Sequence, residues 1–141
     1  MIVQGQTTIF HYNLLNGLED FSTGSSNTYK LALYTADASL SSSTLAYTTD
    51  NEVVGSGYTA GGLTLSLSGT SYDTLANVAY TSFADAIWSP ASFTCRGGLI
   101  YNSGTGASVC VLDFGSDKTA TSLFRVTFPA NNAFNAIIRL V

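Results

Sequence analysis

Charge is what this sequence has least of. Only 10% of its 141 residues are Asp, Glu, Lys or Arg, against about 25% in an ordinary soluble domain. The five basic residues, Lys30, Arg96, Lys118, Arg125 and Arg139, are scattered, and the net charge is −4. Nucleic-acid partners are held through phosphate contacts by clustered Lys and Arg, so this pattern excludes DNA and RNA. Long apolar runs are also missing. The longest stretches, such as Val109 to Leu112, reach four residues, whereas a spanning helix needs ~20. The opening MIVQGQTTIF has neither a basic n-region nor a long apolar h-region, so neither a secretory leader nor a membrane partner is expected.

Histidine and cysteine are nearly absent as well. Cys95 and Cys110 do not form a C-x-x-C pair, and no Asn-x-Ser/Thr acceptor exists. Reduced thiols in a cytosolic folding compartment are the simplest reading. A bridge stays open, although the hairpin described below sets the two cysteines out of direct register. One histidine and two isolated cysteines cannot complete a tetrahedral zinc site within the chain. His11, between Phe10 and Tyr12, reads as a surface or packing residue rather than the base of a triad. No cofactor and no enzymatic activity are expected.

In place of charge there are 18 Ser and 18 Thr, with 16 Phe and Tyr and one Trp. The aromatic content offsets chain entropy and excludes disorder, and the length suits one domain spanning 1–141. Phe10, Leu14, Leu18 and Phe21 recur at helical spacing, which predicts a short helix within Thr7 to Phe21. Thr7 or Thr8 caps its start, and Gly17 offers an early end. After Gly24 the chain alternates β-branched and aromatic segments with Ser, Gly, Asn and Asp clusters. The predicted strands are Thr28 to Thr35, Leu63 to Ser68, Ser82 to Trp88, Phe93 to Tyr101, Ser108 to Phe114, Ser122 to Phe128 and Phe134 to Val141. Asn102-Ser-Gly-Thr-Gly106 joins two of them as a hairpin. Ser108 to Phe114 is apolar on both faces apart from Ser108 and Asp113, so it is either central in a sandwich or buried against another subunit. The fold class is therefore all-β: an antiparallel β-sandwich, jelly-roll-like, with one short N-terminal helix.

Several strings imitate catalytic motifs without their surroundings. Gly55-Ser-Gly57-Tyr-Thr-Ala60 fits a loose dinucleotide fingerprint, but an alternating strand follows where a helix must start. Asp113-Phe-Gly115 matches the kinase magnesium triplet with none of its partner motifs. Nothing in the sequence sets any two of Asp50, Glu52, Asp73, Asp85, Asp113 and Asp117 at the ~5 or ~9 Å needed for glycoside hydrolysis. Asp50, Asn51 and Glu52 lack the spacing of a known calcium loop. Trp88, Tyr58 and Tyr72 are candidate aromatic platforms for sugar or for a protein partner. A surface poor in ions and rich in Ser, Thr, Ala and Tyr suits extensive protein contact, because few charges need desolvation.

Specific strings carry a resemblance over nearly the whole chain. They are LLNGLEDF (Leu14 to Phe21), YKLALYT (Tyr29 to Thr35), AYTTDNEVVGSGYTAGGL (Ala46 to Leu63), FADAIW (Phe83 to Trp88), RGGLIYN (Arg96 to Asn102), VCVLDFGSDK (Val109 to Lys118), TFP (Thr127 to Pro129) and NAIIRL (Asn135 to Leu140). Together they resemble a family of small structural proteins of tailed bacteriophages. The resemblance implies a non-enzymatic virion component, made in the host bacterial cytoplasm and then assembled. Members look like capsid decoration (cement) proteins or like tail and fibre components. The expected partners are the major capsid protein and copies of the chain itself, as a trimer. A tail or fibre protein contacting host-surface glycan is the alternative. Glu52, Gly57, Tyr58, Gly61 and Gly62 fall in the family's most recognisable stretch and are expected to form a structural or interface element. The Met1 to Gln6 arm, opening Met1-Ile2-Val3, is expected to strap a neighbour.

Overall fold

In the computed structural model, which describes residues 1–141, Thr7 starts the single helix. Its Oγ1 accepts the Phe10 N–H at 3.3 Å, which satisfies one of the donors a helix start leaves free. Helix α1 spans Thr8–Leu15 and buries Phe10 and Asn13. Gly17, at φ +69°, ends it in the left-handed conformation that glycine adopts without strain. The helical spacing therefore stops short of Phe21. That ring is still buried, but it reaches the core from irregular chain and stacks on Tyr29 at 4.5 Å between centroids.

Ten strands follow in chain order: β1 Gly5–Gln6, β2 Tyr29–Tyr34, β3 Leu63–Thr64, β4 Leu67–Asp73, β5 Val78–Phe83, β6 Ala86–Trp88, β7 Phe93–Asn102, β8 Ser108–Ala120, β9 Phe124–Val126 and β10 Ile138–Leu140. They form a five-stranded sheet ordered β1-β8-β7-β2-β3, a three-stranded sheet β10-β5-β4 and a two-stranded ribbon β6-β9. Every strand pair is antiparallel. The protein is all-β and sandwich-like, with one short N-terminal helix.

The large sheet is covered on both faces, and period-two alternation decides what covers each. Leu31, Leu33, Ile100, Cys110 and Leu112 face the main core, which also takes Phe10, Phe21, Phe83, Trp88 and Phe93. Ala32, Tyr34, Leu99, Tyr101 and Val111 face a second cluster closed by Ile2, Ala38 and Leu40. This explains the doubly apolar Ser108–Leu112 segment: β8 lies between β1 and β7 with protein on either side. The β7–β8 register shifts between Ile100 and Tyr101 and again between Cys95 and Gly97. At the second shift Phe114 to Asp117 have no partner on β7, and pairing resumes at Lys118. Cys110 stands opposite Ile100 and Cys95 opposite Lys118, and both thiols are free and buried.

Two boundaries differ from the sequence reading. Ser82 to Trp88 is not one strand: β5 ends at Phe83 and β6 starts at Ala86 in a different sheet. The β4–β5 hairpin, Leu67–Asp73 with Val78–Phe83, was hidden by polar residues. Its turn is built by Asp73, whose Oδ1 accepts the Leu75 and Ala76 N–H groups at 2.8 and 3.1 Å, and by Asn77 at φ +56°. Both residues favour turns for these reasons.

Candidate interaction surface

The loop expected to meet a partner is instead folded inward around one carboxylate. Glu52 is buried. Its Oε2 accepts the Tyr47 hydroxyl at 2.7 Å. Its Oε1 accepts the Tyr58 hydroxyl at 2.6 Å and the Gly61 N–H at 2.7 Å. The Tyr101 hydroxyl donates to the Gly61 carbonyl at 2.7 Å. Burial first, and hydrogen bonding to Glu52 second, push the Tyr47 and Tyr58 hydroxyls well above the ordinary tyrosine range. Both therefore remain donors at any working pH.

The glycines permit this fold. A Cβ on Gly57 would stand 2.0 Å from the Pro90 carbonyl oxygen, and one on Gly62 would stand 1.8 Å from that of Leu31. Both have positive φ. Glu52, Gly57, Tyr58, Gly61 and Gly62 are thus brought together as an internal latch. Of the two roles expected for them, the structural one is visible.

The arm is likewise tied to its own chain. Val3 N–H donates to Leu40 O at 2.8 Å, and Leu40 N–H donates to Met1 O at 3.1 Å. The terminal ammonium reaches Ala38 O at 2.9 Å, and Ile2 is buried in the second cluster. As a strap to a neighbour the arm is corrected: its hydrogen bonds and its Ile2 anchor are spent internally, and only the Met1 and Val3 side chains face solvent.

Two of the three aromatic platforms are also interior. Trp88 is 3% exposed and packs against Phe93 and Phe124. Tyr58 is half-buried and faces Trp88. Neither ring offers a face to a sugar; Tyr72, at 74% exposure, does.

The candidate catalytic residues stand apart. His11 is exposed on α1 with its Nε2 2.8 Å from Gln6 Oε1. Asp113 pairs with Arg96 at 3.1 Å and accepts the Gly115 N–H at 2.9 Å, closing a turn. No three His, Cys, Asp or Glu side chains converge as a metal site. Glu52 turns inward to three donors, away from the exposed Asp50 and Asn51. No helix is long and apolar enough to cross a membrane.

What the structure leaves open to a partner is a different face. A cleft between α1 and the three-stranded sheet is walled by Phe10, Leu14, Phe21, Ile138 and Leu140. Leu14 and Leu140 also line the adjoining groove with Leu15 and Arg139. Arg139 continues into a third depression beside Phe134 and Ile137. Leu15 is 89% exposed and Phe134 74%, so apolar surface runs from α1 across the β10 edge. Arg139 is turned back to the Ala133 carbonyl at 3.1 Å.

Within the first cleft lies an anomaly. Glu19 is buried, and its Oε2 accepts the Tyr29 hydroxyl at 2.8 Å and the Asn102 amide at 3.1 Å. Its Oε1 has no partner, an omission that costs about 1–3 kcal/mol. Sequence reasoning passed over Glu19, Leu15 and Phe134. Leu14 was seen only as part of the helical spacing, and Leu140 only as part of a predicted strand.

No family model, curated protein or solved structure matches the chain.

Proposed function

We propose that this chain is a bacteriophage capsid decoration (cement) protein. It assembles with copies of itself, as a trimer, and binds the major capsid protein on the outer surface of the head, staples neighbouring capsomers and has no catalytic role. The observation that supports this reading best is the apolar face running from Leu15 on α1 to Leu140 on β10. Contiguous exposed apolar surface marks interaction sites, and here almost no ions need desolvation when it is covered.

The mechanism is additive burial. A standard interface of ~1,600 Å² anchored by a few large side chains reaches useful affinity. Attachment of a trimer through several such contacts raises it further through effective concentration. The Glu52 latch keeps the loop rigid, so the presented surface is already formed before docking.

Counting copies on purified particles tests the reading. A number close to that of the major capsid protein, distributed over the head, supports it; a few copies confined to the tail overturn it. The tail or fibre alternative retains one exposed ring, Tyr72, and a glycan array with isolated protein tests it.

A further inference from the structure

We infer that the cleft between α1 and the three-stranded sheet binds a small aliphatic primary amine, with Glu19 as its acceptor. The cleft encloses about 260 Å³. Its walls are mostly carbon, from Phe10, Leu14, Phe21, Ala79, Ile138 and Leu140. Glu19 borders it, is 8% exposed, and leaves Oε1 without a donor.

That vacancy is not how this fold treats buried carboxylates. Glu52, equally buried, has donors on both oxygens from its own chain. Glu19 is supplied on one oxygen only. No Lys, Arg or His lines the cleft, so the chain provides no cation to complete it. Buried carboxyl oxygens are nearly always hydrogen-bonded, and the open side of this one is the side of the cleft.

The chemistry of the occupant follows from the walls and the vacancy. An ammonium brings three N–H donors and a charge opposite to the carboxylate. A short alkyl stem matches the carbon lining. A carboxylate ligand meets Glu19 and Asp20 and is repelled. A neutral alcohol offers one weaker donor. Tyr29 and Asn102 hold Oε2 and so fix the orientation of Oε1 in advance, which lowers the ordering cost of binding. Solvent does not reach Oε1, so the ammonium enters by parting the side chains around it. The proposal does not rest on the virion reading and stands or falls separately from it.

Titration with n-pentylammonium chloride, followed by amide NMR and calorimetry, tests it. Saturable shifts at Phe10, Glu19, Phe21 and Thr81 in the millimolar range are expected. Pentan-1-ol and sodium pentanoate should bind at least tenfold more weakly. Glu19→Gln keeps the shape, removes the charge and should cost the amine at least tenfold. Leu14→Trp fills the cleft without touching Glu19, so it carries the test should Glu19→Gln fail to fold, and it should abolish binding. Absence of saturable shifts, equal binding of amine and alcohol, or unchanged binding by Leu14→Trp would overturn the proposal.

Discussion

The Tyr58 hydroxyl donates to Glu52 Oε1 across 2.6 Å, and the same oxygen accepts the Leu33 N–H at 2.9 Å. One phenol thus locks the glycine-rich loop to strand β2, in the body of the large sheet. The loop's composition, which suggests mobility, conceals a buried anion with all its neighbours in place.

Tyr58→Phe removes both bonds and leaves a β2 amide without its partner, for an expected loss of about 1–3 kcal/mol. Glu52→Ala strands two hydroxyls and an amide, so its loss should be larger, at least about 3 kcal/mol. Urea unfolding measures both. Losses within about 0.5 kcal/mol, the range of ordinary surface changes, would show that the network does not hold the loop.

Glycine substitutions should rank by geometry. Gly57→Ala and Gly62→Ala drive a Cβ into backbone carbonyls at 2.0 and 1.8 Å from a positive φ, so losses above about 3 kcal/mol are expected. Gly115→Ala has positive φ but meets nothing within 4 Å, and should lose only about 1–2 kcal/mol. Thermal melts of the three variants check the order.

Burial pushes the Cys95 and Cys110 thiols up to about 12. In native protein at pH 8 neither should react with iodoacetamide, while both react in guanidinium chloride. The unfolded chain ionises its thiols near pH 8.5 and the folded chain does not. The folded state therefore holds more protons in that window, and the thiols' contribution to stability falls as pH rises from about 8.5 toward 12.

Asp113 is held below the ordinary carboxylate range, first by the Gly115 N–H and second by the Arg96 guanidinium. Its contribution to stability is present above about pH 3.9 and is lost as pH falls through the lower folded value. In Arg96→Met the carboxyl should titrate only part of the way back, because the Gly115 donor remains. Side-chain NMR titration reads this directly, and a full return to the ordinary value would give the ion pair the larger role.

The alternation of apolar and polar residues made β2, β7 and β8 legible, since packing on both faces leaves a period-two record at Leu31 to Tyr34 and Val109 to Leu112. Thr7 and Gly17 marked the ends of α1 through their capping chemistry. The β4–β5 hairpin was not legible, because Ser71, Asp73 and Ala79 are strand residues with wet side chains and carry no hydrophobic signature. For Glu52, Gly57, Tyr58, Gly61 and Gly62 the sequence left open a structural or an interface role. The internal one depends on the carbonyls of Pro90 and Leu31 approaching from distant strands. Glu19 sits in Leu-Glu-Asp-Phe, where nothing distinguishes a buried carboxylate from its exposed neighbour Asp20. The assembly face was invisible for a related reason: it joins α1 to β10 across most of the chain length.

The assembly face is tested most directly by sedimentation velocity on the wild-type protein and on Leu15→Asp/Leu140→Asp, with circular dichroism to show that the variant is folded. Both side chains already face solvent, so the fold should tolerate the change. The wild type is expected to sediment as a trimer at micromolar concentration and the folded variant as a monomer. A wild type that stays monomeric at every concentration, or a variant that assembles equally well, would contradict the account.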